Sequence, residues 1–222
     1  MPEITTLSIQ FNSRISRREI PYFRSAVIEK TERASSHFHN HKGNEAFHYR
    51  YPHIQYKICN GLPTIVCLQE GVEDINWLLE KDDLQLNIGN RKVDFKIRDL
   101  KMGVKNIGIS GGLEHYSLSN WMALNQKYLS KWIGMKADSE AQKDFLESIL
   151  TGNILSFAKG MDYHIKERLM VKITHLSKPF SQTFKGQNVL VFNIEFVSNI
   201  ELPQWIGLGK GSSLGFGTVE LK

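Results

Sequence analysis

The sequence has few of the features that mark secreted, membrane-spanning or nucleotide-hydrolysing proteins. Two cysteines in 222 residues do not make the disulfide framework of a secreted domain. No apolar run approaches the roughly 20 residues of a membrane-spanning helix, and the start, MPEITT, lacks the basic and apolar regions of a signal peptide. These absences predict a cytoplasmic protein with no membrane partner, in which Cys59 and Cys67 are buried thiols.

The charge balance favours a polyanionic partner. Lysine and arginine number 28 against 23 aspartate and glutamate residues, a formal net charge of +5. A basic protein attracts nucleic acids through long-range electrostatics. The length suits one large domain or two small ones.

The first half alternates between strand and helix periodicity in a recognisable order. Residues 7–11 alternate as a strand, and residues 16–33 have a helical period. The next predicted elements are a strand over 54–59, an Asn60-Gly61 hairpin turn, a strand over 63–68, a helix over 71–81 and paired strands over 84–88 and 93–97. This order predicts the split βαβ, or ferredoxin-like, unit.

The second half predicts a less regular α+β unit. A glycine-rich joint at residues 108–112 indicates a boundary, and residues 137–159 have a helical period. Strands are predicted over 165–176, 189–197 and 216–221. Residues 119–134 suit either a helix or a wrapped connector.

A glycine-rich stretch near the end of the chain predicts an ordered loop that binds phosphate. Residues 205–217 read WIGLGKGSSLGFG, with five of the 17 glycines in the last eleven positions. Successive exposed backbone N–H groups make an anion-binding concavity, to which Lys210 adds a positive charge. A tight hairpin with a bulge is an equal alternative. The P-loop and dinucleotide-binding motifs are excluded, because each needs a following helix and only five residues follow Gly217.

Three alternating histidines, His37, His39 and His41, are the strongest catalytic candidates. Imidazoles titrate near neutrality, so a pair can take a proton from a ribose 2′-hydroxyl and protonate the departing 5′-oxygen. This chemistry requires RNA, since DNA lacks the 2′-hydroxyl. The alternatives are a metal site, which an H-x-H-x-H cluster can form, and a histidine-rich surface loop. Residues nearby that can stabilise charge on the phosphate are Lys30, Tyr49, Tyr51 and Lys57.

Two of these segments together resemble a known family. Residues 207–217 resemble the C-terminal glycine-rich loop of the repeat-associated CRISPR protein (RAMP) superfamily. His39-Asn40-His41, followed by Tyr49-Arg50-Tyr51-Pro52 and Gln55-Tyr56-Lys57, is similar to the CRISPR-associated endoribonucleases that cut precursor CRISPR RNA within each repeat, in the branch with an active-site histidine pair. The resemblance spans nearly the whole chain.

The resemblance implies an α+β fold of tandem ferredoxin-like (RRM-like) domains, residues 1–110 with the histidine loop and residues 111–222 with the glycine-rich loop. It also implies a metal-independent endoribonuclease without a cofactor, which leaves a 2′,3′-cyclic phosphate and a 5′-hydroxyl. His39 and His41 would be catalytic, assisted by Lys57 or Tyr49, while His37 stays an alternative member of the pair. The residues expected to contact RNA are Gly207, Gly209, Lys210, Gly211, Ser212, Ser213, Gly215, Gly217, Arg50, Lys166 and Arg168.

The implied partner is CRISPR repeat RNA. Assembly into a CRISPR effector complex and formation of a homodimer are both open. The competing hypothesis is a non-catalytic RAMP-type subunit that holds CRISPR RNA in such a complex, because the glycine-rich loop suits binding as well as cleavage.

Overall fold

The computed structural model describes residues 2–31 and 51–222, and it confirms the α+β class. The chain divides into two compact units. The first comprises residues 3–106 together with 213–215, and the second comprises Pro2 with residues 107–212 and 216–222. That each unit is a separate folding domain, with the boundary at residue 110, stays a prediction.

The first unit has the predicted ferredoxin-like order. Its main elements are β1 (Glu3–Phe11), α1 (Ile20–Lys30), β2 (Ile54–Cys59), β3 (Leu62–Leu68), α2 (Glu70–Asp74), α3 (Asn76–Leu79) and β6 (Ile97–Asn106). The antiparallel sheet has the order β2-β3-β1-β6. Numbered within the unit, this order is 2-3-1-4, the split βαβ arrangement.

The turn between β2 and β3 confirms the Asn60-Gly61 prediction. Both residues have positive φ, 52° and 74° respectively. The two-residue hairpin turn that Asn-Gly favours requires a positive φ at both of its residues. The twist of this turn matches that of the flanking strands. The strands therefore pair from Cys59 opposite Leu62 onward.

The predicted pairing of two strands around Gly89-Asn90 is confirmed, but this pair does not join the main sheet. The strands β4 (Gln85–Ile88) and β5 (Arg91–Asp94) form a two-stranded sheet of their own. The fourth strand of the main sheet is β6, which the sequence analysis missed. β6 alternates apolar and charged residues, but Gly103 interrupts the pattern, and strand propensity falls at glycine.

The second unit repeats the same strand order. Its elements are β7 (Ile109–Trp121), α4 (Gln126–Gly134), α5 (Ser139–Gly160), β8 (Val171–Leu176), β9 (Phe180–Phe184), β10 (Gln187–Ile200) and β11 (Thr218–Leu221). The sheet has the order β11-β7-β10-β8, with β9 paired to β10. Residues 201–217, which connect β10 to β11, are all described and contain no helix. The glycine-rich segment lies where the first unit has its second set of helices.

Two local predictions in this unit were wrong. The predicted joint at residues 108–112 is mostly the start of β7 rather than a linker. The predicted strand over 165–176 begins only at Val171, so Lys166 and Arg168 lie in the preceding connection. Asn199 fixes that connection, since its side chain accepts from Met170 N (2.7 Å) and donates to Arg168 O (3.0 Å).

Aromatic side chains form much of the core of the first unit. The Phe23 ring lies 5.7 Å from that of Phe11, 5.8 Å from Tyr56 and 5.2 Å from Phe95. These side chains come from α1, β1, β2 and the residue after β5, so they join the helix to the sheet. Cys59 and Cys67 are buried thiols, as predicted, and neither forms a disulfide. Among the described residues, no helix is long and apolar enough to cross a bilayer.

The Phe23 cluster generates a stability prediction. Phe23→Ala is expected to lower the free energy of unfolding by about 3–5 kcal/mol, because a buried aromatic side chain is lost and a cavity remains. Tyr22→Ala is the matched control: the neighbouring side chain is 55% exposed, and its loss is expected to cost about 0.5 kcal/mol or less. Urea denaturation followed by circular dichroism measures both. Equal losses would contradict this account of the core.

Candidate nucleic-acid interface

The glycine-rich segment, residues 207–217, is shaped by four glycines in the left-handed region of backbone conformation. Gly209, Gly211, Gly215 and Gly217 have φ values of 83°, 75°, 80° and 59°. Residues with a Cβ rarely adopt these angles. The dense glycine pattern therefore encodes a series of reversals that other residues would make only under strain.

Packing reinforces this requirement at both ends of the segment. A Cβ on Gly209 would lie 2.8 Å from Asn153 Oδ1 and 3.0 Å from Trp121 Nε1, two atoms that are hydrogen-bonded to each other at 2.9 Å. A Cβ on Gly217 would collide with the carbonyl oxygen of Leu208. The backbone approaches its surroundings so closely that only glycine fits.

The middle of the segment pairs with a strand of the first unit. Tyr56 N in β2 donates to Ser213 O at 3.1 Å, and Tyr56 forms a parallel bridge with Leu214. A Cβ on Gly215 would lie 2.5 Å from Ile20 Cδ1. Residues 213–215 are thus held to α1 and β2 of the first unit.

Backbone donors are available where the sequence predicted an anion site. Within the described part of the chain, the N–H groups of Gly209, Lys210 and Gly211 donate no hydrogen bond to the protein. By contrast, the N–H groups of Leu208 and Gly217 donate to Gly217 O and Asn120 O. Three successive N–H groups of this kind can bind a phosphate oxygen.

The cation at this site is exposed and lies beside an aromatic ring. Lys210 Nζ is 5.9 Å from the centroid of Phe184, and Lys185 Nζ is 5.7 Å from the same ring. Phe184 also packs edge-on against Phe216 at 5.2 Å. Phe184 and Lys185 were not among the predicted site residues. Lys185 and Gly186 have φ of 50° and 75°, and this dipeptide is the signal in the sequence that would have placed both residues beside a hairpin turn.

Lys57 belongs to a row of polar side chains across the first sheet. Gln10 on β1 is opposite Thr64 on β3, and Thr64 is opposite Lys57 on β2. All three side chains are buried and lie on the face away from the aromatic core. Gln10 Nε2 donates to Cys59 O at 3.2 Å and to Thr64 Oγ1 at 3.3 Å. This row of side chains is polar yet shielded from water.

The surroundings change the acidity of Lys57. Burial lowers the pKa of its ammonium group to about 7, with a smaller lowering from Arg17 and an opposing effect from Cys59. Removing a cation from water favours its neutral form. Lys57 therefore changes charge near neutral pH, unlike an exposed lysine.

Several predicted site residues lie outside the described residues: His37, His39, His41, Tyr49 and Arg50. Lys57 and the glycine-rich segment lie within the described residues. Lys57 is part of β2, and its neighbour Tyr56 bonds Ser213 of the glycine-rich segment. Lys166 and Arg168 are exposed in the connection before β8. Within residues 2–31 and 51–222, no three histidine, cysteine or acidic side chains cluster as metal ligands do.

The fold and this site together define a class. Two successive sheets of the same ferredoxin-like strand order, the second with a glycine-rich segment in place of its second helix, make a tandem ferredoxin-like protein. Residues 2–106 match the model of the Cas6b N-terminal domain, and residues 108–221 match that of the Cas6b C-terminal domain. The chain belongs to the Cas6b family, which confirms the predicted resemblance to the CRISPR-associated endoribonucleases of the RAMP superfamily.

Solved structures agree with this assignment. A crystal structure of Cas6b is 31% identical, with a TM-score of 0.90, and a structure described as the CRISPR RNA processing endoribonuclease Cas6b is 27% identical, with a TM-score of 0.75; both matches cover 100% of each chain. The type IV Cas6 crRNA endonuclease Csf5 shares the fold at 11% identity and a TM-score of 0.57, again over 100% of each chain. The uncharacterized protein MJ0978 of Methanocaldococcus jannaschii is 33% identical over 120 residues, 54% of this chain and 80% of that protein.

The collision at Gly217 generates a second stability prediction. Gly217→Ala is expected to cost about 3 kcal/mol or more, because it adds overpacking against a backbone carbonyl to an unfavourable φ. Gly186→Ala is the matched control: its φ is also positive, but a Cβ there meets nothing within 4 Å, so a loss of about 1 kcal/mol is expected. The denaturant midpoints of the two variants and of the wild type measure these losses of stability. A smaller loss for Gly217→Ala than for Gly186→Ala would contradict the packing argument.

The lowered pKa of Lys57 predicts how stability changes with pH. The unfolded lysine has a pKa of about 10.4, so between pH 7 and 10 the unfolded chain binds more protons than the folded chain, and this group makes stability rise with pH. Lys57→Met removes that titration. The difference in free energy of unfolding between Lys57→Met and the wild type is expected to shrink as the pH rises from 7 to 10, by up to about 1.4 kcal/mol per pH unit.

The measurement is a urea titration of both proteins at several values of pH from below 7 to above 9. Lys101→Met is the control, because the side chain of Lys101 is 71% exposed. Its difference from wild type is expected to stay constant. A constant difference for Lys57→Met as well would mean that Lys57 titrates like a solvated lysine.

Proposed function

We propose that this chain is an endoribonuclease that cleaves precursor CRISPR RNA within its repeats. The observation that carries the proposal is the match of both halves to Cas6b domain models. It is supported by likeness over the whole chain to a Cas6b structure described as a CRISPR RNA processing endoribonuclease. The buried thiols of Cys59 and Cys67, which form no disulfide, support action in the reducing cytoplasm.

The proposed reaction is an internal transesterification. The 2′-oxygen of the ribose before the cut attacks the adjacent phosphorus, and the bond from phosphorus to the 5′-oxygen breaks. One imidazole of the pair His39 and His41 takes the 2′-hydroxyl proton, and the other gives a proton to the departing 5′-oxygen. The products are a 2′,3′-cyclic phosphate and a 5′-hydroxyl. The step requires no metal and no cofactor.

Tyr49 and Lys57 are proposed as assisting residues with different roles. A tyrosine hydroxyl can donate a hydrogen bond to the phosphate as its negative charge grows. The side chain of Lys57 is buried, so we assign it a positioning role through its charge rather than contact with the RNA. The buried position makes that charge sensitive to pH near 7.

The glycine-rich segment is proposed to hold the RNA backbone. Its available N–H groups at Gly209, Lys210 and Gly211 suit a phosphate oxygen, and the ammonium group of Lys210 adds attraction. The full set proposed to contact RNA is Gly207, Gly209, Lys210, Gly211, Ser212, Ser213, Gly215, Gly217, Arg50, Lys166 and Arg168. A place in a larger effector complex would follow if the product stays bound.

Cleavage of repeat RNA in excess EDTA tests the proposed chemistry. His39→Ala and His41→Ala are each expected to slow single-turnover cleavage by about 10²–10⁴-fold with little change in RNA affinity. His164→Ala, an exposed histidine of the second unit, is the control and is expected to leave both unchanged. A 2′-deoxy substitution before the cut is expected to abolish cleavage. Cleavage that survives this substitution would exclude the proposed nucleophile.

The same assay separates the proposal from its main competitor. A protein that binds repeat RNA tightly but never cuts it, with or without divalent metal ions, would favour a non-catalytic RAMP-type subunit. Cleavage that EDTA abolishes would favour a metal-dependent site at the histidines.

Binding by the glycine-rich segment has its own test. Lys210→Ala is expected to weaken RNA binding and to reduce the slope of log affinity against log salt by about 0.7–1, the contribution of one phosphate contact. Lys136→Ala, an exposed lysine distant in sequence, is the control. An unchanged salt slope for Lys210→Ala would remove Lys210 from the interface.

A further inference from the structure

The hairpin formed by β9 and β10 places an aromatic side chain beside its turn. Phe184 is the last residue of β9, pairs with Gln187 of β10 across the turn, and is partly exposed to solvent. Its ring meets that of Phe216 at an interplanar angle of 82°, with the centroids 5.2 Å apart. A perpendicular contact of this kind leaves at least one face of the Phe184 ring uncovered by Phe216.

Hydrogen bonds and packing tie the hairpin to the glycine-rich segment within the second unit. Gln182 Nε2 on β9 donates to Asn120 Oδ1, and Asn120 O accepts from Gly217 N at 3.0 Å. A Cβ on Gly211 would lie 3.0 Å from Phe216 Cδ2, so the ring of Phe216 lies directly against the backbone of the segment. The aromatic ring at the hairpin turn is therefore held beside the predicted phosphate site.

Two lysines surround the same ring. Lys185 Nζ and Lys210 Nζ lie 5.7 Å and 5.9 Å from the centroid of Phe184. Neither lysine has an ion-pair partner within residues 2–31 and 51–222. Residues 168–194 and 202–219, which contain the hairpin turn and the whole glycine-rich segment, include no aspartate or glutamate. The surface around the ring therefore favours an anionic ligand.

A nucleotide satisfies the ring and the lysines at the same time. A cation–π contact at an exposed site is weak, and both distances are close to its limit of about 6 Å. A nucleobase stacked on an aromatic ring gains more than such a contact, and the adjoining phosphates attract the ammonium groups that the base displaces. The bases inside a continuous duplex are already stacked on both faces, so the ring suits an unpaired nucleotide.

We propose that Phe184 is a stacking platform for one unpaired base of the RNA, and that Lys185 and Lys210 bind the phosphates next to that base. The proposal rests on the proposed function, which makes RNA the ligand. It adds a contact to a base where the other residues of this site contact phosphate. Because every base has a π face, the platform fixes the register of the RNA without selecting which base it holds.

Binding of a repeat RNA with a 2′-deoxy ribose before the cut tests the platform without cleavage. Phe184→Leu keeps an apolar side chain against Phe216 but removes the aromatic face. It is expected to weaken binding by about 5–100-fold and to leave the slope of log affinity against log salt unchanged, because no charge is lost. Phe184→Trp is expected to bind at least as tightly as the wild type.

The control is Tyr128→Ala, which removes an aromatic side chain of α4 that is 39% exposed, and it is expected to leave RNA affinity unchanged. Circular dichroism and urea denaturation check that each variant folds. Wild-type affinity for Phe184→Leu, or an equal loss for Tyr128→Ala, would overturn the platform. A reduced salt slope for Phe184→Leu would also overturn it, since stacking releases no counterions.

Abasic nucleotides identify the stacked base. Placed one at a time along the same RNA, an abasic nucleotide is expected to weaken binding to the wild type at one position in particular. At that position it is expected to have little effect on binding to Phe184→Leu, since both changes remove the same contact. 2-Aminopurine placed there is expected to lose fluorescence on binding to the wild type and to keep it with Phe184→Leu. Additive losses at every position would overturn the proposal.

These results distinguish the platform from the proposed function. If the wild type cuts repeat RNA and Phe184→Leu binds and cuts as the wild type does, the platform is wrong and the nuclease function stands. If the wild type binds no repeat RNA, both are overturned.

Discussion

The hydrogen bond from Tyr56 N to Ser213 O is the contact that holds residues 213–215 in the first unit. It ties the middle of the glycine-rich segment to β2, the strand that also carries Lys57. In the second unit, Leu208 N donates to Gly217 O and Gly217 N donates to Asn120 O. Backbone donors that are preorganised in this way lose little entropy when an anion binds.

The second sheet shows what the glycine-rich segment replaces. The first unit has helices between its third and fourth strands, whereas the second unit has residues 201–217. A helix offers anion-binding N–H groups only in its first turn. In the glycine-rich segment, the successive residues Gly209, Lys210 and Gly211 offer such groups among the described residues, at the cost of a sequence in which few substitutions fit.

The polar row Gln10, Thr64 and Lys57 poses a different constraint. A sheet face that is shielded from water would ordinarily be apolar, because burying a charged group is costly. Here the pKa of Lys57 falls to about 7, so the protein can hold the side chain in its neutral form above that value.

Much of the fold was predictable because it depends on short-range sequence patterns. The alternation of β1, the Asn60-Gly61 turn and the helical period of α5 each depend on neighbouring residues. β6 was missed because Gly103 lowers its strand propensity. The β4-β5 pair was predicted, but its separation from the main sheet was not, because the strands themselves do not specify which sheet they join. The roles of His39 and His41 stay predictions from the sequence, since both lie outside the described residues.

The sequence alone determined the places where the backbone must reverse, since a positive φ excludes most side chains and glycine therefore marks it. It also determined the family, through motifs at both ends of the chain. The tertiary structure alone decided that Lys57 is buried. It also decided that, among the described residues, Gly209, Lys210 and Gly211 keep available N–H groups and β6 has one strand partner. These properties arise from contacts between residues far apart in the chain, and no local pattern contains them.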